Sequence, residues 1–170
     1  MSQRMAWAMC RMLSGDQPGG MDPSEVSRLR ARIAVLRASD NPAPHVASWL
    51  GGRAPRMRLS MHSGALERLR DDPRIVLSGV SDPRAHLSVA QEFEGYVAPD
   101  HLRSLRRDYL LAKGGSGNVI LHVADLVQVM GFASGVGVLA PLGLVIADLA
   151  DHHGPREDAQ VRRLIAGVSR

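Results

Sequence analysis

The chain has 170 residues, 45% of them hydrophobic and 22% charged, with a single cysteine and a formal net charge of +4. That composition excludes wholesale disorder, a disulfide-stapled scaffold and a cysteine-based zinc site, and the length suits one ordinary domain with or without a short appendage. The positive charge comes from 20 arginines and Lys113 and is uneven: residues 1–85 carry 13 arginines against 8 acids, residues 86–170 carry 8 basic residues against 9 acids.

Residues 1–21 read as a flexible or remnant segment. Arg4 and Arg11 interrupt their apolar stretch, which also removes the continuous hydrophobic region an export signal needs, and Ser14 to Gly20 is turn-rich. Residues 22–60 read as a basic helical segment. Asp22-Pro23-Ser24-Glu25 has the form of a capping box with proline at the first helical position, and Val26, Leu29, Ile33 and Leu36 make one apolar stripe. A second short helix is expected at about 45–50, ending at Gly51-Gly52.

Residues 61–170 read as a mixed α/β domain, because the period of the apolar residues changes repeatedly from about Arg56 onward. Strands are expected at 56–60, 74–78, 93–97 and 118–123, with helices at 64–70, after Ser81-Asp82-Pro83, and at 99–110. Two closing helices carry the stripes Leu142, Val145, Ile146, Leu149 and Val161, Leu164, Ile165, Val168. The expected class is α+β: a small sheet of about four strands packed by helices, with helices at both ends. Leu126 to Ala147 runs 22 residues without a charge, long enough to cross a bilayer. Its glycines and Pro141 fit a buried strand, a loop and a helix start better, so no membrane partner is expected, and with one cysteine the expected location is cytoplasmic.

Local patterns give little enzymatic chemistry. Gly114-Gly115-Ser116-Gly117 leaves a helix and enters a strand, the reverse of a phosphate-cradling loop. Ser78 and Ser81 lie between a strand and a helix, but Pro83 stands where a nucleophile elbow needs glycine, and no Asp-x-Asp follows for two-metal nucleotide transfer, so Ser81 is expected to cap a helix. Asp148, Asp151, His152 and His153 are the one local cluster of metal-ligand types, and a helix C-terminus explains the histidines without a metal. No catalytic residue, metal or cofactor is therefore expected. The stretch from Val26 to Arg58 has seven arginines and one acid, Asp40. Phosphate contact needs only positive groups on a surface that follows the backbone, so Arg28, Arg30, Arg32, Arg37, Arg53, Arg56 and Arg58 are the candidate nucleic-acid contacts.

From about Ala65 to Val168 the order of short motifs resembles the C-terminal domain of bacterial transcriptional regulators of the AbiEi antitoxin type. The similarity is carried by Asp72-Pro73-Arg74-Ile75-Val76-Leu77-Ser78-Gly79-Val80-Ser81, Gly95-Tyr96-Val97, Asn118-Val119-Ile120-Leu121-His122-Val123, Ala140-Pro141, Val145-Ile146-Ala147-Asp148-Leu149 and Pro155-Arg156. The resemblance implies a non-enzymatic regulator, with a cognate toxin or a second copy of the chain as partner of the α/β domain and DNA as partner of the basic N-terminal third. In that family a winged helix precedes the domain, whereas about 60 residues without a clear recognition helix precede it here, which implies a truncated regulator. Two alternatives differ in class: a small nucleotidyltransferase-like or hydrolytic enzyme using Ser78, Ser81 and the acids near residue 148, and a stand-alone protein-interaction domain with no DNA role.

Overall fold

A computed structural model describes residues 1–87, 91–114, 117–130 and 139–168. Among them are eight α-helices and one five-stranded mixed sheet, so the fold is α+β as expected, with one more strand than the sequence indicates. The chain divides into two compact units, Met1–Arg53 with Pro141–Arg170, and Ala54–Ala140. The expected division at residues 21 and 60 is replaced by one after Arg53, and the two closing helices join the N-terminal helices in one unit.

The first unit is all helical: α1 (Gln3–Leu13), α2 (Pro23–Ala38), α3 (Ala43–Leu50), α7 (Leu142–Ala150) and α8 (Pro155–Gly167). Residues 1–21 are therefore not a loose appendage. Ser2 caps α1 by accepting from the Met5 N–H, and Ala6, Trp7, Ala8, Met9, Cys10 and Leu13 are buried. The arginines that break the apolar run lie on the helix's more exposed positions, Arg4 reaching Glu25 at the start of α2. The capping box of α2 forms as its sequence demands: Asp22 accepts from Ser24 N–H at 2.8 Å and Glu25 accepts from Asp22 N–H at 3.2 Å. Helix α7 is the centre of the unit, packing against α1, α3 and α8, with every residue from Gly143 to Ala150 buried. A helix enclosed on several sides is apolar all round, and this accounts for the Leu142–Ala147 end of the uncharged run. Where α1 crosses α7, a Cβ on Gly143 would stand 2.0 Å from the Cys10 carbonyl oxygen, so only glycine permits this approach.

The second unit holds the sheet, in the order β2-β3-β5-β1-β4. Its strands are β1 (Arg56–Ser60), β2 (Ile75–Leu77), β3 (Phe93–Val97), β4 (Ala112–Lys113) and β5 (Val119–Val123). β3 and β5 run parallel, joined through α5 (Pro99–Asp108), while the other pairs are antiparallel. The unexpected strand is β4, two residues on the edge beside β1, where the sequence shows only a glycine-rich turn. Because side chains alternate across a strand, Leu59, Ile75, Phe93, Val97, Val119 and Leu121 share one sheet face. They form one core with Leu66 and Leu69 of α4 (Leu66–Arg70) and Leu105 of α5. The helix expected after Ser81 is instead two 3-10 turns, Gly79–Ser81 and Pro83–Ala85. Asp82, not Ser81, caps the second by accepting from Arg84 N–H at 2.8 Å. The short helix α6 (Leu126–Met130) follows β5, and Leu139 makes a single parallel bridge to Leu77 of β2.

Candidate nucleic-acid interface

The seven candidate arginines are divided between the two units. Arg28, Arg30, Arg32 and Arg37 lie on α2 in the helical unit, and Arg56 and Arg58 are exposed on β1 in the sheet unit. Arg53 is a correction: it is 1% exposed and cannot meet a phosphate backbone. Its guanidinium donates to Asp148 through Nε (3.1 Å) and Nη2, to Asp151 through Nη2 (2.9 Å), and to the Leu50 carbonyl through Nη1 (3.0 Å). Its own carbonyl accepts from Trp7 Nε1 at 2.8 Å and Gln3 Nε2 at 3.0 Å. Arg53 thus ties α1 and α7 to the end of α3. The same contacts explain Asp148 and Asp151: the acids of the apparent metal-ligand cluster belong to a buried ion pair with an arginine 95 residues earlier.

On α2 the 100° step per residue puts Leu29, Ile33 and Leu36 inward, Arg28 and Arg32 along one flank, and Arg30 and Arg37 along the other. Between the two flanks the outward face carries Ser27, Ala31, Ala34 and Val35, all exposed. Arg32 lies over the Trp49 ring, 5.3 Å from its centroid, and Trp49 also stacks with His45 at 5.3 Å. The one aromatic ring of this basic stretch is therefore already engaged. Arg28 reaches back to the Ser24 carbonyl at 3.4 Å and Arg58 to the Gly117 carbonyl at 3.4 Å. Among the described residues Arg28, Arg30, Arg32 and Arg58 have no carboxylate partner, whereas Arg4, Arg53, Arg74, Arg84 and Arg107 are ion-paired.

No family model, curated protein or solved structure matches the chain. The antitoxin-type resemblance rests on the motifs between Asp72 and Arg156 alone.

A second polar centre, in the sheet unit, was not legible as a site in the sequence. The register pairs Tyr96 with His122 on the face opposite the leucine core, and Glu94 shares that face two residues before Tyr96. His122 Nε2 lies 2.9 Å from Glu94 Oε1, and the His122 and Tyr96 rings stack at 4.9 Å. Glu94 Oε2 accepts from Val80 N–H at 3.2 Å, and the Glu94 N–H donates to Ser81 Oγ at 2.9 Å. Gly79 has φ +52°, and a Cβ there would fall 1.7 Å from Glu94 Oε2, so the carboxylate occupies the space a side chain would need. A Glu–His pair can exchange a proton, but Glu94 and His122 are 0% and 1% exposed. The available signal was a charged residue inside Phe-Glu-Gly-Tyr-Val and a histidine inside Val-Ile-Leu-His-Val: polar groups within buried strands must find partners.

Among the described residues no helix is long and apolar enough to cross a membrane. Part of the uncharged stretch, 131–138, lies outside the described residues, as do Gly115 and Ser116 of the glycine-rich turn.

Proposed function

We propose that the protein is a non-enzymatic regulator of the antitoxin or transcriptional-regulator type that meets nucleic-acid phosphates with the arginines of α2 in the helical unit and, as a separate surface, with those of β1 in the sheet unit, its α/β part meeting a toxin-like protein or a second copy of the chain. The observation that carries the phosphate role is the cross-section of α2. A ridge of small residues, Ser27, Ala31 and Ala34, faces outward between two lines of arginine, and Arg28, Arg30 and Arg32 have no carboxylate partner among the described residues. A helix of that section can approach a groove closely while its flanks reach the phosphates on either side. Neutralising phosphates by guanidinium releases counterions, so binding of this kind weakens steeply with salt. The residues on which a hydrolytic or nucleotidyl-transfer role would rest are occupied: Ser81 and Ser78 are buried, and Asp148 holds Arg53.

The test is fluorescence anisotropy with duplex DNA from the region upstream of the protein's own gene, titrated across salt. Binding at low salt with a linear fall of log K against log salt is expected, and replacing Arg28, Arg30, Arg32 and Arg58 by Gln reduces both affinity and slope, by about 0.9 in slope for every phosphate no longer neutralised. Absence of binding at low salt, or a slope unchanged in the quadruple variant, overturns the phosphate role.

A further inference from the structure

The sheet unit contains a second cationic feature that α2 and β1 do not share. Along α5, Pro99, Leu102, Arg103 and Arg106 follow one another at helical spacing and line a surface cleft of about 410 Å³. Leu105, one position off this line, is fully buried in the core, so the helix is held fast and the cleft stripe sits on a fixed support. Arg106 Nε is shut off from solvent and has no hydrogen-bond partner among the described residues. The protein itself gives that N–H no acceptor, and an oxyanion in the cleft that Arg106 lines would be held by the outer N–H groups of the same guanidinium. Of the two carboxylates on this helix, Asp108 is committed elsewhere, accepting from Arg74 Nη1 at 2.8 Å and from Arg107 Nε at 3.3 Å, and Asp100 in the first turn makes no ion pair among the described residues. Two guanidiniums one turn apart present planar donor forks of the kind that match phosphate oxygens, while the Pro99 ring and the half-buried Leu102 offer apolar surface at the other end of the cleft. The volume lies within the range of small-molecule sites.

We propose that this cleft binds the phosphate group of a small phosphate ester, Arg103 and Arg106 holding the oxyanion and Pro99 and Leu102 the organic part. The proposal is independent of the α2 surface, and its failure leaves the DNA-binding role untouched. The probes are phenyl phosphate, inorganic phosphate and a short DNA duplex, added to the whole protein and followed by the NMR signals of the arginine Nε–H groups. Saturable shifts of Arg106 Nε–H with phenyl phosphate are expected, tighter than with inorganic phosphate by about tenfold because only the ester uses the apolar end. Arg106→Gln weakens phenyl phosphate binding by about tenfold or more, while Arg30→Gln on α2 leaves it unchanged. Circular dichroism of Arg106→Gln identical to that of the parent shows that the weakening is not unfolding; if that variant does not fold, Arg103→Gln is read in its place, with the same weakening expected. No saturable shift up to about 10 mM phenyl phosphate overturns the proposal. So does equal affinity for the ester in the variant and the parent, or a shift of Arg106 with the duplex alone, which would make the cleft part of a polyanion surface.

Discussion

Arg53 and Asp148 show how the protein uses charge internally. The pair is buried in the helical unit, where Arg53 also donates to Asp151 and to the Leu50 carbonyl, so removing Arg53 takes away the guanidinium that the buried Asp148 carboxylate faces. Arg53→Gln is expected to cost about 3–5 kcal/mol in a denaturant titration, and to leave the DNA affinity of the folded fraction unchanged. A drop in affinity at full folding would return Arg53 to the phosphate surface. Cys10 lies in the same surroundings, where burial pushes its thiol up to about 12 despite the opposing Arg53 charge. Its protonated form is favoured in the folded state, so its contribution to stability is complete below the ordinary thiol value of 9.0 and disappears as pH rises towards 12. A disulfide-exchange reagent at about pH 8 is expected to leave the native protein unmodified and to react at once in denaturant.

In the sheet unit, Asp72 takes two side-chain hydrogen bonds from Arg74, at 2.9 and 2.6 Å, and Arg74 continues to Asp108 on α5. The Arg74 hydrogen bonds hold the Asp72 carboxyl down to about 2, and the same arginine lowers Asp108. A depressed carboxyl contributes stability that is present above its unfolded value of 3.8 and is lost as pH falls through about 2. Acid unfolding followed by circular dichroism is expected to show this decline, and Asp72→Asn to remove that part of the pH dependence while lowering stability near neutral pH by about 1–3 kcal/mol. An unchanged acid limb in the variant would mean that other carboxylates set it.

Among the elements, α2 and the α1–α7 crossing make the sharpest demands. If α2 lies in a groove, both of its flanks touch phosphate. Arg28→Gln with Arg32→Gln, and Arg30→Gln with Arg37→Gln, are then each expected to flatten the salt dependence of DNA binding by about 2, and Ala34→Glu on the ridge to weaken binding without changing the helical signal. A response confined to one flank would place the helix along a single strand instead. At the α1–α7 crossing, Gly143→Ala places a methyl group against the Cys10 carbonyl, and overpacking of about 1–3 kcal/mol is expected in thermal unfolding. The elements themselves were readable where local signals agree with tertiary surroundings. The Asp22 capping box and the alternation in Arg56–Ser60 gave those boundaries directly, since side-chain caps and period-two patterns act over a few residues. The segment after Gly79 did not form a helix because Gly79 and Val80 are committed to the Glu94 carboxylate, a residue 14 positions away.

For the molecule as a whole, the division into two units changes what each charge can do. Residues 54–140 hold the entire sheet and the leucine core that packs α4 and α5 on it, so a fragment spanning them is expected to show a cooperative unfolding transition of its own. A fragment without cooperative unfolding would show that the sheet's core is not sufficient. The helical unit cannot be cut out in the same way, because its centre, α7, arrives only after the sheet has been made. The net charge of +4 is distributed accordingly: some arginines close buried or surface ion pairs, and those on α2 and β1 face outward.

By itself the sequence determined the α+β class, most strands and helices, the basic flanks of α2 and the apolar character of α7, because these follow from caps, periodicity and composition within a dozen residues. Only the tertiary structure decided that α1 is part of a core, that Arg53 is a structural cation and not a phosphate contact, that Asp148 is its counter-ion, and that Glu94 meets His122. Each of these joins residues far apart in the chain. Burial and charge pairing are set by which elements meet, and an isolated arginine or histidine in a sequence carries no mark of the partner that the fold brings to it.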